Sequence, residues 1–134
     1  MRHRFAVLLP LLVALAMPAV PSRAAEQAGR PDWTSRTFMV EMGDGARLAT
    51  DVVLPPAGDG PWPAVLGRTP YGRKQAGAPQ MAAMLGYAAV SQDMRGRFDS
   101  EGENLPFIGC GWVEYRDGAE TVDWIRRQPW SNGK

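Results

Sequence analysis

Residues 46–55, ARLATDVVLP, fit a period of two, in which Leu48, Thr50 and Val52 share one face while Ala49, Asp51 and Val53 share the other. This period of two is that of a strand. The preceding run RTFMVEM (36–42) is also extended in character, and the GDG between them makes a tight turn, so residues 36–55 predict a β-hairpin. PPAGDGPWP (55–63) is too rich in Pro and Gly for anything but a loop. AVLGR (64–68) and YAAVSQD (87–93) are short apolar runs of the kind buried strands require. Between them QAGAPQMAAMLG (75–86) predicts a helix: Ala78, Met81, Ala82 and Leu85 recur at helical spacing, Pro79 fits the first turn and Gly86 supplies the stop.

The polar loop MRGRFDSEGEN (94–104) comes next, then LPFIGCGW (105–112), which needs an apolar surface to pack on. A last helix starts at Asp117, placed to cap it, with Glu120 completing a capping box; Val122 and Ile125 form its inward stripe, and it ends at Gln128 before Pro129. An antiparallel hairpin leading into strand–helix alternation implies an α/β sheet that becomes parallel. The closing QPWSNGK (128–134) is a connector built on Asn-Gly, and it predicts one further parallel strand after the last helix.

The amino-terminal end alters the count of folded residues. MRHR is basic, residues 5–20 are apolar but broken by Pro10 and Pro18, and PSRAA is a small-residue ending. This is the pattern of a secretory leader over residues 1–24. The apolar run of 16 residues falls short of the roughly 20 that a membrane-spanning helix needs. Residues 25–35 are polar and carry Gly and Pro, as a loosely held arm does. Losing Arg2, Arg4 and Arg23 with the leader turns a formal charge of +1 into −2, which does not favour a nucleic-acid partner. Cys110 is the only cysteine and has nothing to pair with inside the chain; burial as a free thiol is the expectation. His3 is the only histidine and lies in the leader, so residues 25–134 contain no imidazole base.

Candidate chemistry concentrates in the two loops that follow the apolar strands, because α/β proteins place ligands at the carboxyl edge of the sheet. In GRTPYGRK (67–74) the Tyr71 phenol could donate to a developing oxyanion, with Arg68, Arg73 and Lys74 adding positive charge; on spacing alone, packing of the ring under the loop is the commoner role. In the second loop the alternation of Arg95, Arg97, Asp99, Glu101 and Glu103 suggests a segment held by its own ion pairs. Asn104 stands where a calcium loop needs Gly, and Ser100 lacks the first Gly of G-x-S-x-G, so neither a metal site nor a nucleophile is indicated. Tyr115, Trp124 and Trp130 have the spacing of core or rim packing, and Asp123 with Arg126 and Arg127 that of a surface pair.

Taken together, DVVLPPAGDGPWPAVLGRTPYGRK, GYAAVSQDMRGRFDSEGE and YRDGAETVDWIRRQPWSNGK resemble, in order and spacing, the amino-terminal part of the cocaine esterase and X-prolyl dipeptidyl peptidase group of serine hydrolases, over residues 36–134. The resemblance implies an α/β-hydrolase fold and a Ser-His-Asp triad acting on esters or amides through an acyl-enzyme, with no metal or organic cofactor. It also implies that N-G-K leads into a strand ending at the nucleophile elbow. The family's nucleophile, acid and histidine have no matching positions in this chain; only the oxyanion-hole tyrosine carries over, onto Tyr71. The expectation is thus an incomplete α/β-hydrolase sheet over residues 36–134, stopping before the elbow, that by itself neither hydrolyses esters nor folds into a stable monomer. The substrate the resemblance implies is a small-molecule ester, amide or short peptide, with a simple ester, an amino-acid ester, a β-lactam and a proline peptide all open. The rival expectation is a small exported binding protein whose tyrosine and tryptophans form a ligand surface. Periplasmic or secreted placement follows from the leader, and the exported protein is expected to begin at Ala25; amino-terminal sequencing checks this, and an intact leader on the exported product would overturn it.

Overall fold

The alternation in residues 46–55 is realised as a strand with two different faces. A computed structural model describes residues 34–74, 78–104 and 115–134; residues 1–33, 75–77 and 105–114, on which the expected leader, most of the expected arm and Cys110 fall, lie outside the described residues. Four strands form one sheet: β1 (Ser35–Glu41), β2 (Arg47–Val53), β3 (Ala64–Thr69) and β4 (Ala88–Asp93), in the order β1-β2-β4-β3. β1 pairs antiparallel with β2 through the predicted hairpin, with Phe38 opposite Thr50 and Val40 opposite Leu48. β2 runs antiparallel to β4, and β3 runs parallel to β4 with Thr69 opposite Asp93. The expected change from antiparallel to parallel pairing is therefore present. Its consequence is that the loops after β3 and β4 leave the same edge of the sheet.

Helices α1 (Ala78–Met84) and α2 (Asp117–Arg126) pack against the sheet. Val52, Val90 and Ile125 form a core that Phe38, Leu66, Trp124 and Trp130 extend, and Val53, Ala83 and Ala89 form another beside α1. Full burial of each such valine or isoleucine contributes about 1.5–3 kcal/mol. The tryptophans take the packing role expected of them: Trp124 meets Phe38 edge-on at 5.3 Å and Trp130 at 6.1 Å. The inward faces of both helices differ from expectation. Ala83 is the buried residue of α1, while Met81 and Leu85 are exposed, because a short helix lying over β4 and β2 turns only one line of residues to the sheet. In α2 the buried line is Asp117, Thr121 and Ile125, four residues apart, and Val122 is exposed.

The capping box does not form. Asp117 is already helical, the residue before it makes no side-chain cap, and the Glu120 carboxylate instead accepts the Gly43 N–H of the hairpin turn at 2.7 Å. A stronger partner has taken Asp117. Arg95, 5% exposed, donates Nε (3.1 Å) and Nη2 (2.7 Å) to its carboxylate and Nη1 (2.6 Å) to Asp44 in the hairpin turn. A bidentate guanidinium–carboxylate pair out of water outweighs a solvent-exposed helix cap. The loop after β4 is accordingly not held by its own ion pairs. Arg95 reaches α2 and the hairpin, Glu101 pairs with Arg47 of β2, and Asp99 pairs with Arg73 in the loop after β3.

Beneath Arg95 a neutral network fills the layer between sheet and helix. Gln92 Nε2 donates to the hydroxyls of Thr50 and Thr121, each at 3.0 Å, and its Oε1 accepts from Arg68 Nε at 2.8 Å. All of these buried polar groups find partners, as a dry interior demands. After α2 the chain turns back along β3: Trp62 N–H donates to Trp130 O, Asn132 N–H to Trp62 O and Ala64 N–H to Lys134 O, each at 2.9 Å, with Trp62 bridging Ser131 in parallel. The connector QPWSNGK itself thus runs beside the residues that lead into β3.

Replacing Arg95 by Met leaves the buried Asp117 carboxylate with only the longer 3.4 Å contact to Arg68, and urea unfolding should show a loss of about 3–5 kcal/mol. Acid should act on the same ties. The hydrogen bond from Arg95 holds Asp44 below its ordinary value of 3.8, and that from Arg47 holds Glu101 below 4.5. A carboxylate lowered on folding stabilises the native state fully above its unfolded value and loses that contribution as pH falls through the folded one. The urea midpoint is therefore expected to be level above pH 4.5 and to decline through 3.8 and below, as fluorescence of Trp124 and Trp130 would report.

Candidate active site

The loops leaving β3 and β4 meet at the carboxyl edge, joined through Arg73. This side chain is 4% exposed and faces Asp51, Asp93 and Asp99, which come from β2, the end of β4 and the loop beyond it. Nη1 bonds Asp93 and, at 2.8 Å, Asp99; Nε lies 3.0 Å from Asp51 Oδ1, paired in charge without a hydrogen-bond alignment. The backbone joins in: Arg73 N–H donates to Asp93 Oδ1 at 2.6 Å, and its carbonyl accepts from Ser91 Oγ at 3.1 Å. Burial works to lower the Arg73 pKa, but its interactions with Asp51, Asp99 and Asp93 outweigh it and raise it, so Arg73 remains a cation. In turn the Arg73 hydrogen bond is the main cause of the lowered Asp99 pKa.

Tyr71 stands two residues before this anchor. It is 69% exposed, and it lines an open depression of about 340 Å³ with Gly72, Lys74, Phe98, Asp99 and the Arg73–Asp93 pair. The packing role that spacing alone favoured is not what its exposure shows: its ring lies at the surface at the mouth of the depression. The peptide group that precedes its Cα is held at both ends. Tyr71 N–H donates to Thr69 Oγ1 at 3.0 Å, and Arg97 Nε reaches across from the β4 loop to donate to Pro70 O at 3.1 Å. A phenol on a fixed backbone at a sheet edge can donate to a substrate oxygen without large reorganisation.

The expected positive field around Tyr71 is absent in that form. Arg73 is neutralised by aspartates, Lys74 pairs with Asp99 at 3.6 Å, and Arg68 turns to the α2 side, where it meets Gln92 and Asp117. Ser100 is a tie between strands: its hydroxyl donates to Asp93 O at 2.8 Å and accepts from Ala49 N–H at 2.9 Å. That is a structural role, as the sequence around it suggested. Asp93, Arg97 and Phe98 belong to the site although the spacing did not select them. The one signal for Asp93 was the run of three polar residues, Ser91, Gln92 and Asp93, closing a strand that begins apolar. Among the described residues no cluster of His, Cys, Asp or Glu is arranged to hold a metal, and no helix is long and apolar enough to cross a membrane.

Comparison with known proteins gives this geometry a family. The chain is 42% identical over 102 residues to the cocaine esterase of Rhodococcus sp. (strain MB1 Bresler), an alignment covering 71% of this chain and 17% of that enzyme. Among solved structures it superposes on an α-amino acid ester hydrolase with a TM-score of 0.62 and 32% identity, covering 88% of this chain and 22% of the other. A CocE/NonD family hydrolase from Staphylococcus aureus matches with a TM-score of 0.61 and 25% identity over 75% of this chain and 21% of the other. The chain thus spans less than a quarter of the length of each of these relatives. The family model described as X-Pro dipeptidyl-peptidase (S15 family) matches residues 44–134, which take in the hairpin turn, both carboxyl-edge loops and α2, and the chain belongs to that family.

Proposed function

We propose that this chain forms the oxyanion-stabilising edge of an exported serine hydrolase that cleaves ester or amide bonds through an acyl-enzyme. The observation that carries the reading is Tyr71, exposed at the carboxyl edge beside an open depression on a loop whose backbone is tied down on both sides. In the reaction a serine hydroxyl adds to the acyl carbonyl, its proton passes to a histidine oriented by an aspartate, and the carbonyl oxygen becomes an oxyanion. The Tyr71 O–H is the donor that meets this oxygen, strengthening its hydrogen bond as charge develops. The serine, aspartate and histidine are contributed by polypeptide other than the residues described, since His3 is the only histidine of the chain and lies in the leader segment.

The electrostatics narrow the substrate. Arg73 and Lys74 are both engaged by carboxylates, so the depression offers little attraction to a phosphate and suits a neutral acyl group. The names of the relatives, an esterase, an amino acid ester hydrolase and a dipeptidyl-peptidase family, support a small ester or short peptide as the substrate class. The rival reading, a non-catalytic binding protein, places the same tyrosine on a ligand surface but requires no loss of turnover when its hydroxyl is removed.

In the intact hydrolase carrying this segment, Tyr71→Phe is expected to lower kcat for p-nitrophenyl acetate by about 10²–10³-fold with little change in KM, the effect of losing one oxyanion donor. Residues 1–134 alone are expected to show no turnover. Hydrolysis by that segment which survives Tyr71→Phe would sink the reading.

A further inference from the structure

We infer that Arg97 and Phe98, in the loop leaving β4, are positioning residues that set the direction in which Tyr71 presents its phenol; the inference rests on the reading of Tyr71 given above. The Pro70–Tyr71 peptide group is gripped at both ends. Arg97 Nε donates to its carbonyl oxygen at 3.1 Å, and its N–H donates to Thr69 Oγ1 at 3.0 Å. Because a peptide group is a rigid plane, fixing both ends fixes its orientation and with it the Cα from which the Tyr71 side chain departs.

Phe98 acts on the other side of Tyr71. Gly72 adopts φ +101°, and a Cβ there would lie 3.3 Å from the Phe98 ring, so the ring seats directly on glycine backbone. The two contacts bracket Tyr71, one on the residue before it and one on the residue after. Phe98 itself has φ +49°, the only positive φ at a residue other than glycine among the described residues. An aromatic residue is costly in that conformation, and the strain persists only where the surroundings over-determine it. Burial does not account for it, since Phe98 is 64% exposed. What the conformation achieves is to send consecutive side chains, Arg97 and Phe98, to the two flanks of one loop, with the guanidinium 5.8 Å from the neighbouring ring.

The test uses the intact hydrolase with Arg97→Met, Arg97→Lys, Tyr71→Phe and the Arg97→Met/Tyr71→Phe double variant, assayed on p-nitrophenyl acetate and by amide hydrogen exchange. Arg97→Met is expected to lower kcat about tenfold with KM nearly unchanged, as misplacement of a catalytic group does. Arg97→Lys, which keeps a donor, should restore most of it. The double variant should be no slower than Tyr71→Phe alone, because two residues acting through one group are not additive. Exchange at the Tyr71 amide should quicken about tenfold in Arg97→Met while Val52 and Val90 in the sheet exchange as before. Unchanged exchange at Tyr71 overturns the inference, as does a general acceleration that includes Val52 and Val90, which would make Arg97 a stabilising residue only. Independent, multiplying effects of the two substitutions overturn it as well. If Tyr71→Phe leaves kcat intact, the oxyanion reading falls, and the exchange at Tyr71 alone decides whether Arg97 positions it.

Discussion

A guanidinium taken out of water must be met by carboxylate on the spot, and Arg95 imposes that demand on much of this fold. Its side chain is 5% exposed and is met by Asp117 from α2 on one side and by Asp44 from the hairpin turn on the other. Neither partner can drift without leaving a desolvated charge, so the helix, the hairpin and the loop after β4 share one arrangement. The approach is close: at Gly102, φ +88°, a Cβ would come within 2.8 Å of the Arg95 side chain, so only glycine lets the loop close over it. Gln92, Thr50 and Thr121 continue the same connection inward as a neutral hydrogen-bonded layer, which places α2 over the sheet in a single register.

Arg73 repeats the device at the carboxyl edge with a different outcome. Three aspartates from three positions along the sheet converge on it, and its backbone N–H is taken by one of them. This makes a stiff rear wall to a loop whose front, Tyr71, stays open to solvent. The division suits an oxyanion donor: the phenol needs access to substrate, while its backbone needs to be in place before the charge develops. Among the described residues Arg73 and Lys74, which sequence places beside Tyr71, are both engaged by carboxylates, and Arg73 is used to hold the loop.

Much of the fold was legible along the chain for simple reasons. The alternation of residues 48–53 survives because a strand's side chains must alternate whatever surrounds it, and the two apolar runs became adjacent parallel strands because a helix separates them. Trp124 and Trp130 packed as their size requires. The reading failed where a charged residue had partners both near and far. Asp117 and Glu120 satisfy the local rule for a helix cap, yet one goes to Arg95, 22 residues earlier, and the other to Gly43, 77 residues earlier. Arg95, Asp99 and Glu101 look like one another's partners, and each pairs with a different element. Proximity in sequence is a poor guide to ion pairing, because the stronger pair is the one that loses more water, and burial is decided by the whole sheet.

For the site, residue type and position after a strand were enough to single out Tyr71, and the resemblance of R-T-P-Y and its neighbouring motifs to a hydrolase family supplied its chemistry. The brace around it was invisible in the sequence. Nothing in M-R-G-R-F-D says that Arg97 bonds Pro70 or that Phe98 sits on Gly72, because both contacts cross between loops that meet only once β3 and β4 lie side by side. The sequence by itself determined the alternation, the turns, the order of strands and helices and the identity of the candidate donor, all of which depend on local geometry and side-chain chemistry. Only the tertiary structure decided which charges are buried, which partners they take and how Tyr71 is held, because those depend on which surfaces the folded sheet removes from water.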